Sequence, residues 1–65
     1  MIINNGDTIS FIYNKRLVKC IVTFIDDDLI FGLLKTDYIG KNENWYIGET
    51  KKFKRNLIKD IYKFN

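Results

Sequence analysis

The sequence predicts a small all-β domain of the SH3/Sm-like barrel type, and three observations carry that prediction. Short apolar runs with period-two alternation recur at roughly ten-residue spacing, as the strands of a small barrel do. Turn-forming residues stand between them at Asn14 to Arg16, Asp26 to Asp28, Gly40 to Asn44 and Gly48 to Thr50. The chain has 65 residues, 46% hydrophobic and 15% aromatic, enough for one small core filled largely by rings.

Each element follows from its residues. Asp7 to Tyr13 alternates, with Ile9, Phe11 and Tyr13 on one side and Thr8 and Ser10 on the other. Asn14, Lys15 and Arg16 read as a turn. Leu17 to Ile25 is rich in β-branched residues, and Val18, Cys20, Val22 and Phe24 share the parity expected to face inward. Asp26, Asp27 and Asp28 supply a tight hairpin through local side-chain to backbone bonding. Leu29 to Lys35 resumes the apolar pattern, with Gly32 expected to mark a bulge or bend. Trp45 to Ile47 and Thr50 to Lys54 read as further strands, the second with Phe53 inward between Lys52 and Lys54. Leu57, Ile58, Ile61 and Tyr62 fit a helical face, but also a 3-10 turn at Asn56 to Ile58 leading into a short strand that ends at Phe64. The second alternative suits five strands in one barrel and a single domain over residues 1–65.

Composition narrows the function classes. Cys20 is the only cysteine, so no disulfide forms within the chain, and a reducing cytoplasm is expected. No apolar run approaches the roughly 18 residues that cross a bilayer, and Met1 to Gly6 lacks the basic start and apolar stretch of a signal peptide. Neither membrane association nor export is therefore expected. Lys, Ile and Asn fill 27 of the 65 positions, which suggests an AT-rich bacterial or phage genome. With no histidine and one cysteine, the commonest acid/base group and the thiolate cluster of a zinc site are missing. The expectation is a binding module, not an enzyme, without cofactor or metal. The three aspartates at 26 to 28 read as a turn carrying charge, since consecutive residues rarely converge on one cation; an acidic hairpin tip also has the charge to mimic nucleic acid toward a protein.

The net charge of +3 conceals an asymmetry. Residues 1–50 hold five basic and seven acidic side chains, whereas residues 51–65 hold Lys51, Lys52, Lys54, Arg55, Lys59 and Lys63 against Asp60 alone.

Trp45-Tyr46-Ile47, then Lys52-Phe53-Lys54-Arg55-Asn56-Leu57-Ile58 and Ile61, resemble the WYL domain, as Ile9 to Tyr13 resembles the opening strand of such barrels. In that family a barrel carries a Trp-Tyr-Leu strand followed by an Arg-x-Phe-Arg-Leu-Asp-Arg-Ile-like stretch. The resemblance implies a ligand sensor or nucleic-acid-binding module of bacterial regulators. It covers residues 7–64 in outline. Leu57 stands where the family has its later arginine, and Asn56 replaces its aspartate.

These features give two functional expectations. In the first, Lys52, Lys54, Arg55, Lys59 and Lys63 neutralise phosphates while Trp45, Tyr46 or Tyr38 offers a ring for stacking, so that the ligand is a nucleotide or single-stranded nucleic acid. The bland reading of the same residues makes the lysines a solvated face that blunts a sheet edge, with Trp45 and Phe53 in the core. In the second, the chain is a phage or prophage-type interaction module that inhibits a host protein, for example in defence or DNA processing. Homo-oligomers formed through strand edges are compatible with either.

Overall fold

The computed structural model describes residues 2–64. Seven strands follow in order: β1 (Thr8–Tyr13), β2 (Arg16–Asp26), β3 (Leu29–Leu34), β4 (Tyr38–Ile39), β5 (Asn44–Trp45), β6 (Thr50–Lys54) and β7 (Lys59–Lys63), with a 3-10 turn, Arg55–Leu57, before β7. Asn14 and Lys15 both take left-handed backbone (φ 48° and 66°), the combination of a two-residue type I′ hairpin. They fold β2 back on β1 in a register running from Thr8 opposite Ile21 to Tyr13 opposite Arg16. Asp27, also left-handed at φ 55°, turns β2 into β3. The main sheet is antiparallel and five-stranded in the order β6-β3-β2-β1-β7, and β4 and β5 form a separate two-stranded ribbon. A radius of gyration of 10.7 Å is about that of a compact chain of this length. The predicted small all-β, barrel-like fold is the one observed, with five strands in the main sheet and two in the ribbon.

Its core is fully buried Ile9, Phe11, Val18, Cys20, Val22, Ile30, Leu34 and Phe53, closed at one end by rings. Tyr38 and Trp45 lie 4.6 Å apart between centroids, Phe11 and Phe53 4.9 Å, and Tyr13 and Trp45 5.2 Å. Such edge and tilted pairs add about 0.5–1.5 kcal/mol each beyond the area they bury.

Two bulges re-aim side chains. On β2, Val22 pairs with Gly32 but Phe24 pairs with Phe31, leaving Thr23 as the extra residue. The expected inward parity of Val18, Cys20 and Val22 therefore holds, while that of Phe24 is reversed: its ring is 52% exposed and Ile25 packs toward the core instead. The bend expected at Gly32 falls on the partner strand beside it. Gly32 is required for another reason, because a Cβ there would stand 2.5 Å from the Sγ of Cys20. On β7, Ser10 pairs with Tyr62 and Ile12 with Lys59, so two residues, Asp60 and Ile61, oppose Phe11. Asp60 takes φ 53°, the left-handed backbone of a G1-type bulge.

Several boundaries also move: β1 begins at Thr8 and not Asp7, Arg16 and Asp26 belong to β2 and not to the turns beside it, β3 ends one residue before Lys35, and Tyr38–Ile39 forms a strand that was not expected. The expected strand Trp45 to Ile47 is Asn44–Trp45, because Ile47 and Gly48 already turn. The 3-10 turn begins one residue earlier than Asn56. The last strand ends at Lys63, although Phe64 still donates its N–H to Thr8 at 2.9 Å.

Candidate functional site

Residues directly opposite on neighbouring strands share a face, so the registers define what the outer side of the sheet displays. Across it run Tyr62 and Lys59 of β7, Ser10 and Ile12 of β1, Leu17, Lys19, Ile21 and Phe24 of β2, Leu29, Phe31 and Leu33 of β3, and Lys52 and Lys54 of β6. Two aromatic groups stand on this face, each beside a lysine. At one corner Tyr62 (61% exposed) meets Phe64 (50% exposed) at 4.9 Å between centroids, and Lys19 Nζ lies 4.5 Å from the Phe64 ring. At the other, exposed Phe24 meets half-buried Phe31 at 5.7 Å, with Lys52 opposite Phe31 in register. Among the described residues that pair across this face, Lys19, Lys52, Lys54 and Lys59 are its cations and Asp26, paired across from Leu29, its carboxylate.

At the end where the β1–β2 turn approaches the 3-10 turn, the face runs into a groove of about 480 Å³. Ile12 and exposed Leu57 give it apolar walls, and Lys15, Lys59, Asn14 and Asn56 supply its polar groups. Among the described residues no carboxylate lines it. Asn14 also borders a smaller cleft of about 280 Å³ on the other side of the turn, where Arg16, Lys41 and Glu43 meet. Its Nδ2 donates to the Tyr38 hydroxyl at 3.1 Å, which fixes the wall between the two.

The structure divides the sequence-predicted site residues. Lys52, Lys54 and Lys59 point to the outer face. Trp45, 7% exposed, belongs to the core, with Lys51 Nζ 5.7 Å from its ring. Tyr46 is exposed beyond the ribbon, where its N–H donates to the Glu49 carboxylate. Arg55 opens the 3-10 turn, its N–H bonded to Asp28 O at 2.7 Å. Lys63 bridges to Asp7 Oδ2 at 3.1 Å and so ties the segment before β1 to β7. The Asn4 N–H, bonded to the same carboxylate at 2.8 Å, is the main reason the Asp7 carboxyl is held below its usual value, and Lys63 adds to it.

Phe24, Phe31, Tyr62, Phe64 and Lys19 are the members of the face that sequence reasoning missed. Phe24 was hidden by the Thr23 bulge, which nothing in the alternation of Leu17 to Ile25 announces. Tyr62 and Phe64 are spaced as on a strand and stand among lysines, a signal that was available.

Burial pushes the Cys20 thiol up to about 11, which makes it a poor nucleophile at neutral pH. Among the described residues no three potential metal-ligating side chains converge, the three aspartates at 26 to 28 included. None of their helices is long and apolar enough to cross a membrane. Set against family models, curated proteins and solved structures, the chain has no match.

Proposed function

We propose that this protein is a non-catalytic module that binds single-stranded nucleic acid or nucleotides across the outer face of its sheet. The observation that carries the reading is the placement of two exposed aromatic pairs, Tyr62 with Phe64 and Phe24 with Phe31, each beside a lysine on one side of the sheet. Bases stack on such rings irrespective of sequence while lysines follow the backbone. The groove between Ile12 and Leu57, at about 480 Å³, has room for a single nucleotide with Lys15 and Lys59 at its rim. The resemblance of the second half to the WYL domain supports the same ligand class. A cytoplasmic setting fits the free thiol of Cys20.

Four lysines on the face set the expected salt response. If all four neutralise phosphates, the slope of log affinity against log salt is about −3, and binding weakens roughly 50-fold between 50 and 200 mM. Fluorescence anisotropy with a mixed-sequence oligonucleotide measures this directly. Phe24→Ala and Tyr62→Ala each weaken binding by roughly 5- to 150-fold, the range of one lost stacking contact. Undetectable binding at about 50 mM salt, where phosphate contacts are strongest, refutes the reading.

A second reading, contact with a host protein by a phage-type inhibitor, draws on a separate patch. Ile39, Tyr46 and Ile47 are all exposed on or next to the β4–β5 ribbon, which is not part of the main sheet. Loss of every co-purifying partner on nuclease treatment removes that reading. Strand addition between copies is opposed at both sheet edges, by Lys52 and Lys54 on β6 and by the Asp60 bulge on β7.

A further inference from the structure

The smaller cleft beside the groove differs from it in chemistry. Arg16, Lys41 and Asn42 bring donors to a cavity of about 280 Å³, and the Tyr38 hydroxyl, held by Asn14 Nδ2 at 3.1 Å, stands at its wall. The opposite rim is the tight turn from Gly40 to Glu43, closed by a Gly40 N–H to Glu43 O bond of 2.8 Å. Gly40 is required there: a Cβ would lie 2.6 Å from the Tyr38 ring and 2.9 Å from Glu43 O. The volume is below the usual range for a pocket that takes a whole drug-sized ligand, so it suits a small group. An arginine fork with a lysine point charge favours phosphate, and a terminal phosphomonoester carries more charge than the single charge of an internal diester. Glu43 opposes any anion and leaves the cleft one charge short of its full attraction. That repulsion grows with the charge of the anion, as does the attraction of Arg16 and Lys41, and the net positive balance of the three still favours the more highly charged terminal group.

We infer that this cleft holds the terminal phosphate of a strand whose last nucleotide lies in the adjoining groove, making the protein selective for phosphorylated ends. Asn14, which lines both cavities, is the joint between the two. The inference rests on the nucleic-acid reading and adds to it the end of the strand and the residues that read it.

The test compares three ten-nucleotide oligomers of one sequence, bearing a 5′-phosphate, a 3′-phosphate or neither, by anisotropy at constant low salt with the dye on the opposite end. One phosphorylated form binds at least tenfold tighter than the unphosphorylated oligomer. Arg16→Ala removes this gain and changes binding of the unphosphorylated oligomer less than threefold; Lys41→Ala, on an exposed loop, does the same in part. Glu43→Gln enlarges the gain. Equal binding of all three oligomers overturns the inference and leaves the nucleic-acid reading standing. Retention of the full gain in both Arg16→Ala and Lys41→Ala overturns the assignment of the cleft. Absence of binding by all three overturns the nucleic-acid reading together with the inference.

Discussion

Replacing Gly32 by alanine isolates the tightest approach in the core. The φ of Gly32 is not left-handed, so the substitution carries no backbone strain and by itself is worth about 0.4–1 kcal/mol, because the unfolded chain loses freedom. Against that gain, the new methyl would stand 2.5 Å from Cys20 Sγ and 3.0 Å from Cys20 Cβ. Cys20 is fully buried among core side chains, so it yields only by moving its neighbours. Overpacking of this kind costs about 1–3 kcal/mol. The expected net loss is roughly 1–2 kcal/mol, a large part of the 3–5 kcal/mol typical of a domain this small. Such a loss lowers the Tm by roughly 4–16 °C. Urea unfolding followed by circular dichroism measures it. The same substitution in a Cys20→Ala background meets no sulfur and costs about 1 kcal/mol less, the coupling expected of side chains in contact. A Gly32→Ala protein as stable as the parent, or one with equal cost in both backgrounds, refutes the reasoning.

Two further perturbations probe the backbone and the charges. Lys15 holds a left-handed φ of 66° in the β1–β2 turn, a conformation that costs an L-residue about 1–2 kcal/mol. Lys15→Gly creates the Asn-Gly pair that type I′ hairpins prefer and raises stability by about 1 kcal/mol in denaturant titration. Asp7 has its carboxyl pKa lowered in the folded protein by the Asn4 N–H and by Lys63. In the window between the lowered and ordinary values the unfolded chain binds more protons, so stability is full above the ordinary carboxylate range and is lost as pH falls through the folded pKa. Asp7→Asn lowers the Tm at neutral pH and flattens its decline in acid, which a Tm series over about pH 2 to 7 reveals.

Much of the fold was legible because one face of each strand must be dry. The period-two pattern of Ile9, Phe11 and Tyr13 and of Val18, Cys20 and Val22 marked which side chains enter the core, and Asn14 to Arg16 and Asp26 to Asp28 marked the tight turns, the aspartates by their local side-chain to backbone bonding. The basic character of the last fifteen residues was likewise plain. Its grouping was not, since Lys52 and Lys54 lie on one edge strand, Lys59 on the other, and Lys63 is engaged by Asp7. The sequence by itself determined an all-β chain with a ring-filled core and no histidine chemistry. Only the tertiary structure decided which aromatics are left outside. A single extra residue at Thr23 reverses every side chain after it, because a strand alternates with period two. That reversal turns Phe24 out beside Phe31, while the pairing of β7 with β1 brings Tyr62 and Phe64 to the same side. Pairing between segments some fifty residues apart depends on long-range packing, which local alternation does not encode.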